Sequence, residues 1–137
     1  MASIRRELEL SATADGVWDA LADFGAVHKR VAPGFLKDAK LEGESRVVTF
    51  ANGAVFREHL VDLDHVRRRL VYAIAEPPFL TYHGIVEVEP VGEDSCRLVW
   101  IVDMLPNEVS GRVAQQMDIA IGAMKSALRG KSTGNDQ

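Results

Sequence analysis

An α+β fold is predicted, a curved antiparallel sheet of about seven strands wrapped around one long C-terminal helix, and three observations predict it. Between residues 107 and 129 the apolar side chains of Val109, Val113, Met117, Ile121, Met124 and Leu128 recur in steps of three or four, the one-sided stripe of an amphipathic helix. About 23 helical residues span roughly 34 Å, the breadth of a small domain. Between residues 39 and 105 the chain reads as short runs divided by Gly, Asn, Asp and Pro, the pattern of an antiparallel meander. A first strand and two short helical segments precede it, so sheet and terminal helix must cover each other's apolar faces.

Each element has its own local reason. Ile4, Leu8 and Leu10 share one parity and Arg5, Glu7 and Glu9 the other, so residues 3–11 make a strand with one buried face. Arg6 breaks the alternation and is expected near a strand end, reaching solvent along its stem. Ser11 or Thr13 then caps a short helix bearing Val17, Trp18, Leu21 and Phe24, and Gly25 ends it. A second small helix holds residues 26–31 before Pro33 and Gly34 force a turn.

In the meander, Gly43-Glu44 separate a short strand beginning at Ala39 from a strand over 46–50. Asn52-Gly53 is the strongest hairpin signal in the chain, since both residues tolerate positive φ. The next strand runs over 55–63, turns at Asp64-His65 and returns over 67–75. Pro77 and Pro78 interrupt the pairing, after which 80–89 and 97–105 pair across a polar turn. Asn107 is placed to cap the terminal helix, with Glu108 near its positive end and Lys125, Arg129 and Lys131 near its negative end.

Composition bounds the function. With 137 residues and 47% hydrophobic content, residues 1–130 form a single domain, and the polar tail 131–137 is expected to be disordered. The net charge of −4 supplies no basic excess, so nucleic acid is not an expected partner. No apolar run approaches the roughly 18 residues of a spanning helix, and residues 1–10 do not resemble a signal peptide, so a cytoplasmic location is expected. Cys96 is the single cysteine and no His cluster accompanies it; neither a metal nor a cofactor is expected.

The order strand, two short helices, meander and long terminal helix resembles the helix-grip fold of the START and birch-pollen-allergen superfamily. More specifically, residues 17–24 (VWDALADF), Gly53 followed by Arg57-Glu58, then Leu70-Val71-Tyr72 and Val99-Trp100 look like the polyketide cyclase/dehydratase group. The resemblance spans nearly the whole chain and rests on the order and spacing of motifs that are mostly packing and turn residues. It implies a cavity between sheet and helix that holds a hydrophobic small molecule. Members of the superfamily include lipid carriers, hormone receptors and aromatic cyclases, so it implies a pocket more firmly than a reaction.

Parity then selects candidate pocket residues. If Glu58 points inward, as the resemblance to the hormone-receptor branch implies, Phe56, Leu60 and Asp62 share its side while Arg57, His59 and Val61 face out. Leu70, Tyr72 and Ile74 face in on the next strand, Tyr82, Gly84, Val86 and Val88 on the following one, and Cys96, Leu98, Trp100, Val102 and Met104 on the last. The candidate ligand-binding set is therefore Glu58, Tyr72, Ile74, Tyr82, Gly84, Leu98 and Trp100, with Val113, Met117 and Ile121 from the helix. Each polar member has a second reading. Glu58 is either a ligand contact, a surface carboxylate or the partner of a structural Arg, because a buried carboxylate must be paired, hydrogen-bonded or protonated. Tyr72, Tyr82 and Trp100 serve either as hydrogen-bond donors to a ligand or as core rings.

Three functions follow from this reading. The first is binding or carriage of a hydrophobic small molecule such as a lipid, an isoprenoid or an aromatic polyketide. The second is a cyclase or dehydratase acting on such a molecule, with Glu58, Tyr82 or His28 as acid or base. No nucleophile-and-base spacing is present, so the catalytic residues are unassigned. The third is a protein-interaction module using the sheet edge or the helix, which a pocket of roughly 300 Å³ or more would argue against. A homodimer is compatible with all three.

Overall fold

In the computed structural model of the chain, residues 1–131 are described. The elements follow in the order β1 (Ala2–Leu10), α1 (Ala14–Ala22), α2 (Val27–Arg30), β2 (Leu36–Glu42), β3 (Ser45–Phe50), β4 (Val55–Asp64), β5 (Arg69–Ala73), β6 (Thr81–Gly92), β7 (Ser95–Leu105) and α3 (Ser110–Leu128). Short 3-10 turns precede α2 at Phe24–Ala26 and α3 at Asn107–Val109. The seven strands form one antiparallel sheet in the order β1-β7-β6-β5-β4-β3-β2. The two short helices carry the chain from one sheet edge to the other, and the meander then returns strand by strand until β7 lies beside β1. This is the expected helix-grip arrangement.

Local chemistry sets the boundaries. Thr13 caps α1 by accepting a hydrogen bond from Gly16 N at 2.9 Å. Gly43 and Gly53 take φ values of 62° and 93° in the two tight connections flanking β3, a region that costs glycine little. β5 is shorter than the expected 67–75 because Asp64 Oδ1 accepts from both Val66 N and Arg67 N at 3.0 Å. That turn also holds Arg68 at φ 52°. Asn107 does not cap the terminal helix with its side chain. The 3-10 turn supplies backbone acceptors instead, Pro106 O for Val109 N and Asn107 O for Ser110 N.

Two further expectations are corrected. Arg6 lies in the middle of β1 on its inner face, and its guanidinium donates to the Asp118 carboxylate of α3 at 2.7 Å, tying sheet to helix. That bond holds Asp118 below the usual carboxylate range. Asp62 does not share the side of Glu58. The register slips between Leu60 and Asp62, a bulge at Val61 that turns Asp62 outward toward Arg69 and brings Leu63 inward opposite Leu70.

The helix stripe is also rotated slightly from the pattern read along the sequence. Val113, Met117, Ala120, Met124 and Leu128 are buried, while Ile121 is half-buried on the flank. The contact side at that level belongs to Ala120, a small residue that the hydrophobic count passes over. Past α3 the chain is fastened to the β1–α1 junction, with Gly130 N donating to Ser11 O at 2.8 Å and Thr13 N to Lys131 O at 3.0 Å. Of the tail expected to be disordered, Lys131 is thus held in place, and residues 132–137 lie outside the described residues.

The interior divides into two halves. Around β1, β7 and the C-terminal end of α3 it is solid, with Leu8, Leu98, Met104 and Leu128 fully buried. Between α3, the two short helices and the inner faces of strands β2 to β7 it is hollow.

Candidate functional site

The hollow half is a cavity of about 350 Å³. Its roof is Val109 at the end of the 3-10 turn with Val113, Met117, Ala120 and Met124 of α3, and Leu21 of α1, Val27 of α2 and Val31 just after α2 close one side. The inner faces of the strands supply the floor. Exposed lining residues mark the mouth: Asn52 in the β3–β4 turn, Pro78 in the β5–β6 connection and Arg112 on α3.

Seven of the ten sequence-derived candidates stand on the cavity wall: Glu58, Tyr72, Ile74, Tyr82, Trp100, Val113 and Met117. Gly84, Leu98 and Ile121 do not. A Cβ on Gly84 would stand 2.2 Å from Tyr72 Cζ, so the Tyr72 ring lies directly on the glycine and shields it from the cavity. Leu98 belongs to the solid half of the core, and Ile121 sits beside the stripe instead of on it.

Glu58 is inward and buried, with 7% of its surface exposed, and it is not waiting unpaired. Its cross-strand neighbour is Arg46, 4% exposed, whose Nε donates to Glu58 Oε1 at 2.7 Å. Arg46 also donates to Phe24 O at 3.1 Å, and its guanidinium lies 4.0 Å from the Phe24 ring centroid and 5.3 Å from that of Tyr72. A charge this far from water requires such compensation on every side. Of the readings open for Glu58, the structural pair with an Arg is the one observed, at a place where both partners also line the cavity.

Above this pair stands a small hydrogen-bonded group. Trp100 Nε1 donates to Tyr72 Oη at 3.2 Å, and the two tyrosine rings lie 6.3 Å apart. Burial pushes both phenols well above their ordinary range, and the nearby Glu58 charge adds to the shift. Both tyrosines are therefore neutral across physiological pH and face the cavity as hydroxyls.

An aromatic row runs from this group across the cavity wall. Tyr82 meets Phe79 with centroids 4.8 Å apart, Phe79 meets Phe56 at 5.7 Å, Phe56 meets Phe50 at 6.0 Å and Phe50 meets Phe35 at 5.4 Å. The four phenylalanines are only half-buried. Only Phe56 was placed on the inner side by parity; the others come from a turn, a strand end and a loop, where alternation says nothing. A usable signal was present, because four of the five phenylalanines fall close to turn residues, where solvent would otherwise select polar side chains.

The histidines stay away from the wall. His28, a candidate acid or base in the sequence, lies on α2 but does not line the cavity as Val27 does; its Nδ1 is buried without a partner among the described residues. His65 accepts from Trp18 Nε1 at 3.1 Å, and His59 bonds Ser45 Oγ at 2.8 Å. Among the described residues no cluster of His, Cys, Asp and Glu could hold a metal, and no helix is long and apolar enough to cross a membrane.

A grip of sheet on helix around a largely apolar cavity defines the class of the protein as a helix-grip domain of the START type. The sequence profile described as polyketide cyclase / dehydrase and lipid transport matches residues 1–133, and the chain belongs to that family. No curated protein matches the sequence. Among solved structures, a protein from Thermobifida fusca is 29% identical with a TM-score of 0.77, covering 93% of this chain and 91% of its own. A norcoclaurine synthase point mutant from Thalictrum flavum, in complex with a transition-state analogue, is 20% identical with a TM-score of 0.71, covering 93% of each chain. The di-domain ARO/CYC protein BexL is 17% identical with a TM-score of 0.79, covering 93% of this chain and 46% of its own.

Proposed function

We propose that the chain binds or carries a hydrophobic small molecule in this cavity, as a cytoplasmic protein. The observation that carries the reading is a cavity of about 350 Å³ with apolar walls and one fully compensated polar end, which suits a ligand that is mostly apolar or aromatic. The half-buried phenylalanines support it. Rings left partly open to solvent around a hollow gain their burial when an apolar guest arrives.

The enzymatic reading draws on the family and on the resemblance in fold to norcoclaurine synthase and BexL. Among the described residues Glu58 is the one carboxylate on the wall, and it is engaged by Arg46. Tyr72 and Tyr82 are held as neutral hydroxyls, so they offer hydrogen-bond donors and no base. Binding is therefore favoured over catalysis. Organic extraction of the purified chain and mass spectrometry of the extract test the reading, with about one apolar molecule per chain expected. Incubation of that molecule with fresh protein then separates the two functions, since recovery unchanged supports carriage and conversion supports an enzyme.

A further inference from the structure

Among the described residues three charged side chains reach the cavity wall, and their charges do not cancel. Arg46 and Glu58 neutralise each other at 2.7 Å in the interior. Arg112, exposed at the mouth, has no ion pair or hydrogen bond among the described residues. It lies between Val109, at the end of the preceding 3-10 turn, and Val113 on α3, both of which line the cavity, so the guanidinium stands where the apolar roof meets water. Gln116, one turn further on, lines the same edge. Asn52 across the mouth accepts from Ala54 N through its Oδ1, which leaves its amide N–H groups as donors. Glu108, one turn before Arg112, is not among the lining residues.

We propose that Arg112 is the headgroup contact of this cavity and that the ligand is an amphiphile carrying an oxyanion at its solvent end. The inference rests on the cavity-binding reading above. An apolar body inserted among the phenylalanines leaves its polar end at the mouth, where a cation and amide donors stand free and where, among the described residues, the one lining carboxylate, Glu58, is held inside by Arg46. A guanidinium meets a planar or tetrahedral oxyanion with two parallel N–H groups, so it discriminates in favour of such a head and against an uncharged one. The contact is exposed, and its contribution is correspondingly modest and sensitive to salt.

A matched pair of fluorescent probes tests this: 8-anilinonaphthalene-1-sulfonate and the uncharged N-phenyl-1-naphthylamine, which share one ring system. Arg112→Gln is expected to weaken the sulfonate roughly three- to tenfold and to leave the neutral probe within about twofold, while Arg112→Lys recovers part of the loss. Raising salt should bring the original protein toward the Gln variant for the sulfonate only. Equal loss for both probes, or no loss for either, overturns the headgroup role and leaves the cavity reading standing. Binding of neither probe to the original protein overturns both.

Discussion

Replacing Glu58 by Gln tests the buried pair at the heart of the site. The substitution preserves shape and leaves an amide oxygen that can still accept from Arg46 Nε, but it removes the charge that compensates a guanidinium only 4% exposed. Breaking a buried pair costs about 3–5 kcal/mol when one partner is left alone. The retained hydrogen bond, the Phe24 carbonyl and the stacking on Phe24 offset part of this, so the expected loss is roughly 2–3 kcal/mol. For a domain of this size that is a fall in Tm of roughly 6–12 °C. Urea denaturation at pH 7 measures it. The double variant Arg46→Met/Glu58→Leu should lose less than the sum of the single losses, because it removes the orphaned charge along with its partner. A Glu58→Gln protein as stable as the original would mean that the carboxylate does not stabilise Arg46.

The remaining predictions concern the tyrosines and their seat. Tyr72 and Tyr82 are the only tyrosines in the chain, and both phenols are raised above the ordinary 10.0 by burial. The stability they contribute is therefore fully present below about pH 10 and is lost as pH rises through the folded-state values. Phenolate absorbance near 295 nm should stay silent through pH 10 and appear together with unfolding, whereas a native protein titrating at its ordinary value would contradict the burial argument. Gly84→Ala should destabilise by about 2–3 kcal/mol in denaturant unfolding, because the new Cβ meets the Tyr72 ring at 2.2 Å and forces it off the strand. A neutral effect would show that Tyr72 does not rest there.

The fold was legible because its signals are local and repeated. Asn52-Gly53 fixes a hairpin, the hairpin fixes pairing, and parity then places Tyr72, Tyr82 and Trp100 on one side without knowledge of the tertiary structure. Parity failed where the ladder itself slipped, at Val61, since a bulge inserts one residue with no compositional mark and reverses every inference beyond it. The helix stripe was read from bulky residues, so Ala120 was passed over in favour of Ile121. Arg46 was not singled out as the partner of Glu58, although the hairpin brings their strands together, because a charged residue in a short strand looks like a solvent face. Arg112 lies off the apolar stripe of the terminal helix, so periodicity gives it no role, and only the cavity mouth beside it does.

The central claim, that the hollow between sheet and helix takes up an apolar guest, is tested most directly by filling it. Ala120 is buried on the roof of the cavity, so Ala120→Phe projects a ring into the space without removing any contact already made. Titration with N-phenyl-1-naphthylamine, alongside thermal unfolding of both proteins, is the measurement. The original chain is expected to bind about one probe with enhanced fluorescence, and the Phe variant to remain folded with a similar or higher Tm but to bind at least tenfold more weakly. A folded Ala120→Phe protein that takes up the probe as well as the original would contradict the claim, because the guest would then lie somewhere other than the cavity.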